Sequence, residues 1–211
     1  MSAITHRSGT ARRPSDAGIE ANNRLTASAG AIIFVLLAVE GVTILSVQSL
    51  LRLHVIVGMV LVPVVLLKMA TTTYRAARYY LNSPAYRRRG PPPLLLRVLG
   101  PVVVVSTVAV LATGIWLLLL GPDHRSPWLQ IHKASFIVWF GAMTVHVLGH
   151  IVETIRIAPR DWTQRGPRIA ATGVRRAAVG LALLVGVVLA VLVEPSVTSW
   201  LAARRHLPFD G

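Results

Sequence analysis

The sequence contains no cysteine among its 211 residues. Disulfides, thiolate nucleophiles, thiolate zinc sites and cysteine-ligated iron–sulfur clusters are therefore excluded. Acidic residues are also scarce, because 8 Asp and Glu stand against 22 Lys and Arg, which gives a formal net charge of +14. Charged residues make up only 14% of the chain and hydrophobic residues 54%, and the mean hydropathy is +0.61. Such an apolar composition is rare in a soluble domain and typical of a membrane protein.

The excess of basic residues at first suggests a nucleic-acid partner. The arginines, however, lie in short blocks between apolar runs, and no nucleic-acid-binding motif or aromatic groove accompanies them. Basic blocks of this kind set membrane topology and contact anionic lipid. The sequence therefore predicts membrane lipid as a partner and no nucleic acid.

Five apolar runs are long enough to cross a bilayer, which takes about 20 helical residues. They lie at about 27–48, 53–73, 96–120, 128–155 and 174–193. The predicted fold is an all-α integral membrane protein, a five-helix transmembrane bundle.

Three regions are expected along the chain. Residues 1–26 form a disordered cytoplasmic tail, 27–193 the transmembrane domain, and 194–211 a segment on the outer face. The first run is longer than a typical signal-peptide core, and no small-residue cleavage site follows it closely, so we expect it to remain as a span.

The distribution of Lys and Arg predicts the orientation. The tail, the segment between the second and third runs and the segment between the fourth and fifth runs hold 16 of these residues, whereas the other connecting segments hold five. The positive-inside rule then places the N-terminus in the cytoplasm and the C-terminus outside a plasma membrane.

Histidines inside the predicted spans occur only on the second and fourth runs. The fourth carries His132, His146 and His150, and the second carries His54. His132 and His146 are fourteen residues apart, hence about 40° apart around a helix and about 21 Å apart along it. His150 lies on the same stripe, so all three rings face one way.

Depth in the membrane links the two runs. Both run from outside to inside, His54 begins the second, and His132 lies just inside the fourth. Two neutral imidazoles at one depth on facing helices are what bis-histidine ligation of a haem iron requires. The alternative is that both rings are interfacial histidines held only by hydrogen bonds.

This pattern resembles the membrane cytochrome b superfamily, including the cytochrome b-561 type and the cytochrome b subunits of nickel–iron hydrogenases and formate dehydrogenases. The resemblance rests on His132, His146 and the facing His54, and it covers the second to fourth runs. It implies haem b as cofactor, with His54, His132 and His146 as candidate iron ligands. The bundle would then have a haem-binding four-helix core. Its second and fourth helices would flank the haem, assisted by the first and third, and the fifth would lie at the periphery. The resemblance also implies electron transfer between a quinone pool and a redox partner protein. Arg52, Arg125 and Lys133 are the outer cations available for haem propionates.

The inner site departs from the family pattern, because Lys68 stands fourteen residues after His54, where a second facing ligand is expected. Lys68 could ligate an inner iron, pair with a propionate or extend to the membrane surface, or the inner haem could be absent. One haem is the firmer expectation and two an open alternative. His146 and His150, with Glu153, could instead form a quinone site or a proton relay.

Glu40 is a carboxylate in the middle of the first run. A charge there is costly, so we expect Glu40 to be protonated or paired with a group in the bundle interior.

The sequence thus predicts a b-type haem cytochrome that carries electrons across or within the membrane. Two alternatives stay open: a haem-free membrane anchor or assembly subunit, and an enzyme such as a quinol-linked or ferric reductase.

Overall fold

The computed structural model describes residues 14–88, 94–161 and 171–203. These residues form α-helices and two short 3-10 turns (Pro122–His124 and Ala158–Asp161), and no strand occurs among them. The helices are α1 (Pro14–Leu45), α2 (Val47–Tyr80), α3 (Pro84–Arg87), α4 (Leu94–Leu120), α5 (Trp128–Ile157), α6 (Thr172–Leu192) and α7 (Glu194–Ala203).

Five of these helices are long and apolar enough to cross a membrane. The candidate spans are Ala17–Leu45, Val47–Tyr80, Arg97–Leu120, Trp128–Arg160 and Thr172–Leu192. The prediction of an all-α bundle with five spans is confirmed at this level, and the fold indicates a multi-pass membrane protein.

The beginning of α1 corrects one expectation. Residues 14–26 were expected to belong to a disordered tail, but the helix begins at Pro14. Tertiary contacts explain the difference: Ile19 is buried, and the Asn22 side chain donates a hydrogen bond to the carbonyl of Thr71 on α2. Glu20 also pairs with Arg160, 3.3 Å away. Polar residues that look disordered in the sequence are thus held by neighbouring helices, while residues 1–13 lie outside the described part of the chain.

Four of the spanning helices form a ring. α1 and α2 make one antiparallel hairpin, α4 and α5 make a second, and the hairpins meet mainly where α1 packs against α5. A smaller contact joins α2 to α4. Among the described residues, α2 and α5 do not pack closely against each other. These two helices therefore lie diagonally across the ring.

The apolar core lies to one side of this ring. Buried residues of α1, α2 and α6, among them Ala29, Val64 and Ala182, form its main cluster. By contrast, none of the residues of α5 is buried. α6 packs along α2 from outside the ring, and the two backbones approach closely at Gly186, where an added Cβ would stand 2.7 Å from the Cα of Val60.

The two ends of the bundle differ in what covers them. We call the end where α1 begins and α2 and α5 finish the basic end, and the other the opposite end. At the opposite end α7 packs against α2 and α4 through Val197 and Trp200, which are buried. Arg52 of α2 pairs there with Glu194 of α7 at 3.1 Å.

Candidate histidine site

His54 is held by two residues of α1 near the opposite end. Its Nδ1 lies 2.9 Å from Oε1 of Glu40 and 3.1 Å from Oγ1 of Thr43. Thr43 is fully buried and also contacts Oε2 of Glu40 at 3.3 Å. Glu40 was expected to be either protonated or paired with a group in the bundle interior. The structure shows that its side chain has a partner there, His54.

The hydrogen-bond donors fix the form of the His54 ring. The Thr43 hydroxyl donates to the backbone carbonyl of Glu40 at 2.7 Å, so it has no proton left for His54. A carboxylate oxygen is likewise an acceptor. Nδ1 of His54 is therefore the donor toward both groups, and in the neutral ring Nε2 is the nitrogen left to coordinate a metal.

His132 is held in the same manner by α4. Its Nδ1 lies 3.1 Å from Oγ1 of Thr113, whose hydroxyl donates to the carbonyl of Ala109 at 2.7 Å. Thr113 is thus an acceptor toward the ring, and in the neutral ring Nε2 of His132 is again the nitrogen left for a metal. The ring rests against Gly114, where an added Cβ would be 3.0 Å from Cε1.

The structure places His54 and His132 within range of electrostatic interaction across the ring of helices. This holds although α2 and α5 do not pack closely in the described residues. Each imidazole is anchored to its own hairpin partner, His54 to α1 and His132 to α4. Both rings thus form their hydrogen bonds through Nδ1.

A second cluster lies fourteen residues further along both helices. Lys68 of α2 interacts electrostatically with His146, His150 and Glu153 of α5. Its Nζ is 3.5 Å from the carbonyl of Thr26 and lies against Gly30 of α1. Of the roles open to Lys68, these contacts favour those in which its ammonium stays among the helices.

Two histidines of this cluster contact each other on α5, with their ring planes tilted by 53°. The ring centroids of His146 and His150 are 4.8 Å apart, and Nδ1 of His150 lies 3.9 Å from Glu153. Nδ1 of His146 is buried and has no hydrogen-bond partner among the described residues. An unsatisfied ring nitrogen in an apolar interior is costly and calls for a proton donor, a proton acceptor or a metal.

The three outer cations are placed differently from one another. Arg52 is occupied by Glu194, as described above. Arg125 ends the 3-10 turn at Pro122–His124, and Lys133 is exposed although it directly follows His132. Of the three, Lys133 therefore has the least contact with the bundle.

Several contributors to the site were not found in the sequence. Thr43, Thr113 and Gly114 contact the two histidines, and the indole of Trp139 donates to Oγ1 of Thr107 at 3.0 Å. Thr and Gly are common in membrane helices, so their presence alone carries no signal. A polar residue at the level of a histidine on a neighbouring span, such as Glu40, is the sequence feature that could have predicted the hydrogen-bond partner of that histidine.

The described residues contain no group of three or more His, Asp or Glu arranged to hold a metal ion. A haem iron needs only two protein ligands, because the porphyrin supplies the other four. The residues fit such a group, because two imidazoles on diagonal helices are each hydrogen-bonded through Nδ1 and have Nε2 as the other ring nitrogen.

Fold and site define a class: an all-α protein with five candidate membrane-spanning helices and paired histidines inside the bundle. No protein-family model, no curated protein and no solved structure matches the chain.

Proposed function

We propose that this chain is a b-type haem membrane cytochrome that carries electrons between a quinone pool and a redox partner protein. His54 and His132 are the axial ligands of its haem near the opposite end. The observation that carries the proposal is that both rings form their hydrogen bonds through Nδ1. Bound haem would supply a one-electron ferric–ferrous couple.

The surroundings of α5 support the same conclusion. This helix carries three of the histidines and borders the ring interior, yet none of its residues is buried. A helix packed only against protein would hide part of one face. Contact of that face with a flat macrocycle would account for its partial exposure.

The inner cluster supports a second cofactor site. His146 has an unsatisfied Nδ1, and Lys68 and Glu153 supply one group of each charge beside it. In this proposal His146 would serve an inner haem, with Lys68 as a propionate partner. The same groups would equally suit a quinone, whose oxygens accept hydrogen bonds from Lys68 or His150.

The experiment is the absorbance spectrum of the detergent-purified chain before and after dithionite, with haem counted per chain as the pyridine haemochrome. We expect Soret and α bands of haem b. His54→Ala and His132→Ala should each lose the outer haem, whereas His124→Ala, an exposed histidine on the 3-10 turn, should keep it. A colourless protein from haem-replete cells, or full haem content in both ligand variants, contradicts the proposal.

A haem-free membrane anchor or assembly subunit is the second candidate. The observation in its favour is that His54 and His132 already have hydrogen-bond partners on α1 and α4. In that case the two histidines act as links within each hairpin. Their Ala variants would then lower the melting temperature of a colourless protein.

A quinol-linked or ferric reductase is the third candidate, favoured by the cluster of Lys68, His146, His150 and Glu153 at the inner level. Reduction of the haem by a short-chain quinol distinguishes it from a bare electron relay. His150→Ala should slow that reduction while dithionite still reduces the haem in full.

A further inference from the structure

We propose that Glu40, supported by Thr43, is the positioning residue that makes His54 the more basic of the two axial ligands and so holds the haem at a lower potential. This inference rests on the proposed function. It assigns a role to a carboxylate that does not touch the iron and acts only through the ring of His54.

Two contacts hold the Glu40 side chain in place. Oε1 accepts from Nδ1 of His54 at 2.9 Å, and Oε2 lies 3.3 Å from the Thr43 hydroxyl. Thr43 is fully buried, and its hydroxyl is also 3.1 Å from Nδ1 of His54. Thr43 thus packs against both the carboxylate and the ring, which leaves Glu40 little freedom to turn away from His54.

The other axial ligand has no such partner. Nδ1 of His132 contacts the neutral hydroxyl of Thr113, 3.1 Å away, which in turn contacts Ser135 at 3.2 Å, and the ring also hydrogen-bonds to the backbone of Val110. Hydrogen bonds to a charged acceptor are about twice as strong as those between neutral groups. The two imidazoles are therefore chemically unequal although both form hydrogen bonds through Nδ1.

The consequence for the iron follows from the chemistry of histidine ligands. A carboxylate that accepts from the second ring nitrogen raises the basicity of the ligand and fixes its orientation. A more basic ligand favours ferric over ferrous iron, and so does the negative charge itself. Glu40 should therefore lower the midpoint potential of the haem. Because it links His54 of α2 to α1, it should also slow the loss of haem from the protein.

The test compares Glu40→Gln, which keeps an oxygen acceptor and removes the charge, with Asp123→Asn. Asp123 is an exposed carboxylate at the same end of the bundle, so its variant controls for the loss of one charge. The readouts are haem per chain, the midpoint potential from a dithionite–ferricyanide titration, and the rate of haem transfer to apomyoglobin.

We expect Glu40→Gln to keep its haem and to show a raised midpoint potential, with Asp123→Asn close to wild type. Removal of such an outer-shell partner usually weakens metal binding about 10–100-fold. Glu40→Ala should therefore lose haem faster by a factor of about that size. An unchanged potential in a fully loaded Glu40→Gln overturns this inference and leaves the haem assignment standing.

A colourless wild-type protein overturns both proposals, so the two failures are distinguishable. Where Glu40→Gln does not retain haem, Thr43→Val serves instead, because it leaves the carboxylate and removes its support. A raised potential in that variant supports the inference, and an unchanged one overturns it. A purely structural role for Glu40 would lower the melting temperature without moving the potential.

Discussion

Gly114 of α4 lies against the imidazole of His132 of α5, so closely that a Cβ added to the glycine would stand 3.0 Å from Cε1 of the ring. The ring could relieve this contact only by moving, and its Nδ1 is already engaged by Thr113 at 3.1 Å. The contact therefore makes Gly114 a sensitive position for the orientation of His132.

The first prediction concerns this contact. Gly114→Ala should displace the His132 ring by a few tenths of an ångström and thereby lower haem occupancy, measured as pyridine haemochrome per chain. Gly141→Ala on α5 is the matched control, because nothing lies within 4 Å of an added Cβ there. Equal occupancy in the two variants would show that the ring can shift without loss of the cofactor.

The second prediction concerns the contact between α2 and α6. A Cβ at Gly186 would lie 2.7 Å from the Cα of Val60, which is backbone and cannot move aside alone. Gly186→Ala should therefore separate the helices and destabilise the bundle by about 1–3 kcal/mol, the usual cost of overpacking. The measurement is the melting temperature in detergent, and Gly180→Ala, where an added Cβ meets nothing within 4 Å, should leave it unchanged. A melting temperature for Gly186→Ala no lower than that of Gly180→Ala would contradict the close packing described for α6.

The third prediction separates stability from function at Lys68. Keeping a charged ammonium among apolar helices costs desolvation energy. Its hydrogen bond to a carbonyl at 3.5 Å is long and offsets little of that cost, so removing the charge should not destabilise the fold. We expect Lys68→Met to melt at or above the wild-type temperature and to slow reduction of the haem by a short-chain quinol.

Lys133→Met is the control for that experiment, because Lys133 is an exposed lysine of α5. It should leave the melting temperature unchanged. A drop in melting temperature for Lys68→Met alone would mean that the contacts of Nζ with α1 and α5 stabilise the bundle, and the functional role would then lose its support.

The fourth prediction concerns orientation, and the absence of native cysteine makes it straightforward. Leu81 is exposed just beyond α2 at the basic end, and Asp123 is exposed at the opposite end. In intact cells a membrane-impermeant maleimide should label Asp123→Cys and should label Leu81→Cys only after permeabilisation, because the positive-inside rule places the basic end in the cytoplasm. The reverse labelling pattern would contradict the predicted orientation and place the basic end outside.

Much of the fold could be predicted because membrane insertion depends on runs of apolar residues. Each of the five predicted runs corresponds to a candidate spanning helix. Helix ends were less predictable: α1 extends back to Pro14 because Ile19, Glu20 and Asn22 find partners on other elements, and such partners leave no mark in the local sequence.

The site was predictable in part for a geometric reason. Spacings of fourteen residues on two helices that run in the same direction place His54 level with His132 and Lys68 level with His146. The structure brings both pairs within electrostatic reach. Their roles as cofactor ligands stay predictions, to be tested by the experiments above.

The sequence by itself determined the number of candidate spans, the lack of thiol chemistry and the position of each histidine along its run, because hydropathy and helical spacing are properties of a single run. Only the tertiary structure decided that Glu40 meets His54, that Thr113 and Gly114 meet His132, and that α6 packs against α2. Those pairings depend on how each helix is rotated and tilted against its neighbours. Rotation and tilt are fixed by the packing of side chains from several helices at once, and no one run contains that information.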